Sequence, residues 1–270
     1  MDPAVLEDIE VVALSPSRAS DFKSCPQLFK FRAIDRLPEP AEPASALGTL
    51  VHAVLEHLYR LPSDLRTEHR AQELVQEVWA AIRDAEDPAG LLFTRQQEKE
   101  WIEQARKLVT NYFRLEDPVS IEPHELEWWV EHETASAFLR GIIDRVEVVA
   151  DGEWVLTDYK TGPSPSETYA FDRFFGLRFY ALVCWRAFGR LPKQLRLVHL
   201  REPEVITLVP TPQMLEGIER QLEAIGSAIR RAVQREDFRP RPSYICNWCP
   251  HKAICPAWEV PQALAPTNGL

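Results

Sequence analysis

The stretch from Gly141 to Gly162 constrains this chain more than any other. It reads G-I-I-D-R-V-E-V-V-A-D-G-E-W-V-L-T-D-Y-K-T-G. Two strand-like runs flank Asp151-Gly152, and Asp-Gly between β-rich runs is a strong local signal for a hairpin. Side chains alternate along a strand, so Phe138, Ile142, Asp144, Val146 and Val148 are expected on one face of the first run. The same rule groups Trp154, Leu156, Asp158 and Lys160 on the second. Two carboxylates and an ammonium therefore fall on faces that otherwise read as core. An isolated buried charge is too costly to desolvate, so such groups are paired or bound to metal. Two Asp with one Lys suit a hard cation beside a phosphate: the carboxylates supply oxygen ligands, and the Lys holds a phosphate or positions a water. The pattern equally allows a solvated hairpin whose charges face water.

Two further features carry chemistry. Leu47 to Leu61 has the apolar spacing of an amphipathic helix, with Gly48 and His52 one turn apart on the edge of its stripe. A lone His on such an edge is more often structural than a ligand, and Glu56, one turn on, is a weaker candidate for the same site. The second feature is the set Cys25, Cys246, Cys249 and Cys255. The last three are spaced to wrap one ion or cluster, with Cys25 brought in by the fold. Four thiolates suit either Zn²⁺ or a 4Fe–4S cluster, and ligand count does not separate them. The remaining cysteine, Cys184, lies in an apolar helical stretch and reads as a small buried hydrophobe. This usage fits a reducing compartment better than a disulfide framework.

Together, Asp144, then Asp158-Tyr159-Lys160, then Gly48-Thr-Leu-Val-His52, resemble the PD-(D/E)xK nucleases, in particular the RecB-type exonuclease branch. The four cysteines resemble an iron–sulfur subgroup of that branch, similar to the CRISPR-associated four-cysteine exonucleases. The resemblance spans about Ser15 to Trp258. It implies an α/β fold, a mixed sheet flanked by helices, with a 4Fe–4S cluster joining the N- and C-terminal segments. It implies a single nuclease domain over residues 1–270, with a helical layer at 46–115 and cluster-binding segments at 15–36 and 240–258. By the same resemblance, Asp144, Asp158, Lys160 and Tyr180 are the catalytic residues, and His52, Asp144, Asp158 and the Tyr159 carbonyl hold Mn²⁺ or Mg²⁺. An imidazole ligand tilts the site toward Mn²⁺. Arg173, Arg178 and Tyr180 are the expected DNA contacts. The branch also carries Gln-x-x-x-Tyr after the Lys; here the match is Gly176-Leu-Arg-Phe-Tyr180, so the Tyr is present and the Gln is not. Joining residue 25 to residue 255 would close most of the chain into a loop, which makes the cluster structural.

The implied activity is metal-dependent DNA exonuclease action on single strands or ends in repair or recombination. The alternatives are a CRISPR-adaptation exonuclease that trims spacer precursors, and a catalytically weak DNA-binding subunit of a repair complex. A net charge of −10 counts against a simple nucleic-acid binder. Basic residues nevertheless cluster between Lys160 and Arg201 and between Arg230 and Lys252, which allows a basic groove on an acidic body. The expected partners are DNA and a repair-complex protein. There is no long apolar run for a membrane span and no signal-peptide pattern, so the expected location is the cytoplasm. Elsewhere the chain reads as a short β run at Ile9–Leu14, a Ser15-capped helix ending at Pro26, and helices at Leu65–Arg83 and Thr94–Leu115, separated by Asp87-Pro-Ala-Gly90. A strand at Val119–Glu133 carries Trp128-Trp129, which either pack in the core or stack on bases. A helix at Tyr169–Phe188, strands at Leu195–Leu200 and Val205–Val209, and a helix at Pro212–Arg235 complete the reading.

Overall fold

The computed structural model describes residues 12–85, 94–149, 152–163 and 173–258. Ile9 to Val11, the Asp87–Gly90 turn, Asp151, and the start of the helix expected from Tyr169 lie outside those residues. The elements run in this order: β1 (Val12–Leu14), α1 (Pro16–Ser24), a short α2 (Pro26–Phe29), α3 (Pro43–Tyr59), α4 (Glu68–Ala85), α5 (Arg95–Tyr112), β2 (Pro123–Glu133), β3 (Ala137–Val148), β4 (Trp154–Lys160), α6 (Phe175–Phe188), β5 (Gln194–His199), β6 (Glu204–Leu208) and α7 (Pro212–Gln234).

Local chemistry sets the helix starts. Ser15 caps α1 by accepting from the Arg18 N–H, with Pro16 at the first helical position. Thr94 and Gln97 form a reciprocal capping box at the start of α5. Thr211 and Pro212 repeat the Ser15 arrangement on α7. Gly189 ends α6 in the left-handed region, at φ 66.

The strands form one six-stranded mixed sheet in the order β1-β3-β4-β5-β6, with β2 paired to β3 off that path. β3 runs antiparallel to β2 and β4 and parallel to β1; β4 and β5 are parallel; β5 and β6 are antiparallel. Alternation along the strands feeds two cores. Leu156, Leu195 and Leu197 pack with α1, α6 and α7 on one face. Tyr159, Val198 and Leu200 pack with α3, α4 and α5 on the other. Cys184 lies fully buried in the first of these cores. No described helix is long and apolar enough to cross a membrane.

One expectation needs correction. Strict alternation along β3 would bury Ile142 and Val148 beside Asp144, yet each is 42% exposed. Ile143 and Val146 enter the same core, while Asp144 meets His52 and Arg145 meets Tyr59, both residues of α3. The period of two therefore breaks at Asp144-Arg145. Across from it on β2, Glu127 adopts a positive φ of 45. A local irregularity of this kind re-aims side chains, and such irregularities collect at functional sites.

Candidate active site

Pairing between β3 and β4 runs from Val148 opposite Trp154 to Arg145 opposite Thr157, and stops there. The next facing residues are Asp144 and Asp158, so the two carboxylates stand in the fork where the strands part. They are close enough for the Asp144 charge to act on Asp158. Beyond the fork, β4 continues along β5 as far as Lys160 opposite His199, and β3 continues along β2. Asp144 Oδ2 accepts the Tyr159 N–H at 2.7 Å, which ties the two branches together.

Helix α3 brings an imidazole to the fork. His52 Nδ1 lies 3.5 Å from Asp144 Oδ2, and its Nε2 lies 3.0 Å from the Tyr159 carbonyl oxygen. Gly48 permits this approach, because a Cβ there would sit 3.2 Å from Thr161 Oγ1. Glu127 enters from β2, and one ligand atom each from His52, Glu127 and Asp144 lie within 4.8 Å of one another. The left-handed backbone that delivers Glu127 costs a non-glycine residue about 1–2 kcal/mol.

The electrostatics follow from five ionisable groups around one gap: His52, Glu127, Asp144, Asp158 and Lys160. Burial favours the neutral imidazole of His52, but Asp144, with Asp158 and Glu127 behind it, pushes its pKa up to about 9. Burial, followed by the Asp144 carboxylate, pushes Glu127 up to about 7. Burial also raises Asp158, against the pull of Lys160, whose Nζ stands 2.5 Å from Asp158 Oδ2. Lys160 in turn is raised, because Asp158 outweighs the burial that disfavours its charge. Carboxylate oxygens with one imidazole nitrogen, in negative potential, make a donor set that fits a divalent cation.

Tyr180, on α6, packs closely against the strand: a Cβ at Gly141 would lie 2.5 Å from Tyr180 Cε1. Burial, with Asp158 and Asp144 nearby, raises its hydroxyl well above the ordinary range. The fold thus gathers His52, Asp144, Asp158, Tyr159, Lys160 and Tyr180 in one place.

The remaining expected residues stand differently. Arg178 is 3% exposed inside the fold, so the DNA contact expected of it is corrected. Arg173 acts on His199, the residue opposite Lys160 on β5, and so stands at the edge of the site. Glu56 is engaged by Arg60 and acts on Glu127. The basic run from Lys160 to Arg201 is largely spent on internal partners: Arg186 on Glu219, Lys193 on Glu153, Arg190 on the Gly152 carbonyl, and Arg196 on Glu116. Trp128 packs with Trp154 and Phe188, whereas Trp129 is 51% exposed.

Two features escaped the sequence reading. Glu127 was hidden because its neighbours Leu126 and Trp128 read as ordinary strand packing. The other is a buried ion cluster behind the site. Arg145 is fully buried and donates to Tyr59 Oη and Tyr159 Oη at 2.7 Å each, to Glu116 at 2.8 and 2.9 Å, and to Glu147 at 2.8 Å. The clue was an arginine inside a run that otherwise reads as buried.

Cys25, Cys246, Cys249 and Cys255 line one pocket with Leu28, Phe31, Ile245 and Trp258. All are free thiols. The Arg241 and Ser243 backbone N–H groups donate to Cys25 Sγ and Cys246 Sγ, each at 3.4 Å. Burial raises the Cys249 thiol, and the other three cysteines add to the shift, which places all four within electrostatic reach of one another. His251, buried against Phe31 and 2.8 Å from Glu39, docks the C-terminal segment on the N-terminal one. Convergent sulfurs with N–H donors in an apolar shell fit a cluster or a metal ion.

A sequence model of the PD-(D/E)XK nuclease superfamily matches residues 13–256. The crystal structure of a "putative exonuclease" from Eubacterium rectale aligns with a TM-score of 0.60 at 14% identity, covering 96% of this chain and 94% of that chain. At that identity the likeness speaks to the fold alone. The crystal structure of SSO0001 covers 79% of this chain and 95% of its own at 15% identity, with a TM-score of 0.37, too low to bear on the fold. No curated protein matches the sequence.

Proposed function

Because the chain belongs to the PD-(D/E)XK nuclease superfamily, we propose that it is a divalent-metal-dependent DNA exonuclease of the RecB type. Its substrates are single strands or DNA ends, and its setting is repair or recombination. The observation that carries this reading is the fork: pairing of β3 and β4 ends at Arg145 and Thr157, and His52 of α3 faces Asp144 across the gap.

His52, Glu127, Asp144, Asp158 and the Tyr159 carbonyl would hold the cation, Mn²⁺ or Mg²⁺. When bound, the cation supplies charge neutralisation at the scissile phosphate and Lewis acidity. Around it, Tyr159 N–H fixes the Asp144 carboxylate, and Lys160 stands at the open side of Asp158, where it can steady the phosphate or orient the attacking water. Tyr180 bounds the far side of the gap, packed on Gly141. Cys25, Cys246, Cys249 and Cys255 would hold a second group, a 4Fe–4S cluster, which would staple the N- and C-terminal segments without entering the chemistry. The putative exonuclease of like fold is consistent with this reading.

The test is cleavage of labelled single-stranded DNA with and without Mn²⁺. Lys160→Ala and Asp158→Asn should lose cleavage while circular dichroism shows the fold intact. Full activity in either variant would overturn the assignment.

A further inference from the structure

An open groove of about 780 Å³ runs from the candidate active site along β2, β3 and the start of α1. Lys160 and Tyr180 stand at its inner end, and Ser17, Arg18, Trp129 and Arg140 line the rest. We propose that this groove is the path of a single nucleic-acid strand, with Trp129 stacking on an unpaired base and Arg18 and Arg140 holding backbone phosphates. The inference rests on the nuclease reading and names the part of the chain that selects the substrate.

Three observations carry it. First, the Trp129 indole is presented to solvent yet fixed. Its Nε1 donates to Glu131 Oε2 at 2.9 Å, and the Arg140 guanidinium lies over the ring, 6.0 Å from its centroid. A large apolar ring held half-exposed beside a catalytic gap is a stacking platform, because every base has a face to offer and a fixed ring loses little entropy on binding. Duplex bases already stack on one another, so the platform suits unpaired ones.

Second, the two guanidiniums are positioned for an anion. Arg18 gives one hydrogen bond, to the Ala13 carbonyl at 3.3 Å. Burial lowers its pKa, and the like charges of Arg140 and Arg36 lower it further. Glu131 is the cross-strand neighbour of Arg140, but it is occupied by the indole. Among the described residues neither arginine makes an ion pair, in contrast to Arg186 and Arg196. Two guanidiniums lining one groove, neither of them in an ion pair among the described residues, fit a phosphate backbone.

Third, Gly176 leaves the groove open. A Cβ there would meet nothing nearer than Pro16 Cβ, at 3.9 Å. The residue that departs from the RecB-type pattern thus widens the passage next to Tyr180.

The test is fluorescence anisotropy of a labelled oligothymidylate and of a blunt duplex of equal length, in EDTA, so that binding is read without cleavage. The single strand should bind more tightly than the duplex. Trp129→Ala should weaken single-strand binding about tenfold, and Arg18→Ala and Arg140→Ala should each reduce the salt dependence of binding by a slope of about 0.7. Trp129 is half-exposed, so its truncation leaves the core intact. Equal affinity for the duplex, or unchanged binding by Trp129→Ala, would overturn the inference. Asp144→Asn separates the two readings. If it abolishes Mn²⁺-dependent cleavage while Trp129→Ala binds as the unmodified protein does, the groove assignment fails and the nuclease reading stands.

Discussion

Replacing Arg145 by Met should destabilise the protein more than any change at the active-site surface. Arg145 joins β3 to α3 through Tyr59, to β4 through Tyr159, and to the segment after α5 through Glu116. The Glu116 side chain is 1% exposed, and without Arg145 its remaining ionic partner is Arg196, 2.5 Å away. Removing one member of a buried ion pair typically costs about 3–5 kcal/mol, because the other charge is stranded. In a chain of this size that corresponds to a fall in melting temperature of roughly 10 °C. Urea denaturation followed by circular dichroism reads the loss directly. The same reasoning predicts that Arg145→Met combined with Glu116→Leu recovers part of it, since in the single variant the buried Glu116 keeps Arg196 alone to balance its charge. A pH arm adds a sign. Burial alone would raise Glu116, but Arg145 and then Arg196 outweigh it and hold its pKa below the ordinary glutamate value. A depressed folded-state pKa contributes stability that is present above the unfolded-state pKa and lost as the pH falls through the folded one. Stability should therefore decline on acidification in the protein as it stands, and Arg145→Met should flatten that decline. A single variant within about 1 kcal/mol of the parent, or a double variant worse than the single, would refute the reasoning.

Gly141→Ala should force Tyr180 off the strand, since the new Cβ would lie 2.5 Å from Tyr180 Cε1; a loss of about 1–3 kcal/mol in denaturation, with slower cleavage, is expected. Gly176→Gln should stabilise α6 by up to about 1 kcal/mol, because glycine is a poor helix former and the site has room for a side chain; urea midpoints check the direction. Cys249→Ser should remove visible absorption from a brown protein and expose the chain ends to limited proteolysis, whereas a colourless protein with one stoichiometric zinc would refute the iron–sulfur assignment.

The helices were readable because their causes are local. The apolar stripe of α3, the Thr94 cap of α5 and the Thr211-Pro212 start of α7 lie within a few residues of the elements they specify. The candidate site was legible for another reason: Asp144, Asp158 and Lys160 are charged at positions whose neighbours read as core, whereas His52, on the edge of its apolar stripe, stood out only through the family resemblance. What the chain did not reveal depends on distant partners. The break in alternation at Asp144-Arg145 coincides with the left-handed Glu127 on a neighbouring strand, and neither stretch announces the other. Arg178 reads as a DNA contact until the packing of α6 shows it to be buried. The basic run after Lys160 looked like a phosphate patch because its carboxylate partners, Glu116, Glu153 and Glu219, lie elsewhere in the sequence.

The most direct test is a Mn²⁺ titration followed by the electron paramagnetic resonance of the unbound ion. The protein should take up Mn²⁺ at the fork, and Asp144→Asn and His52→Ala should each lose that uptake while keeping the fold. Uptake unchanged in both variants, or absent in the parent, would contradict a cation site built from α3, β2 and the parting strands.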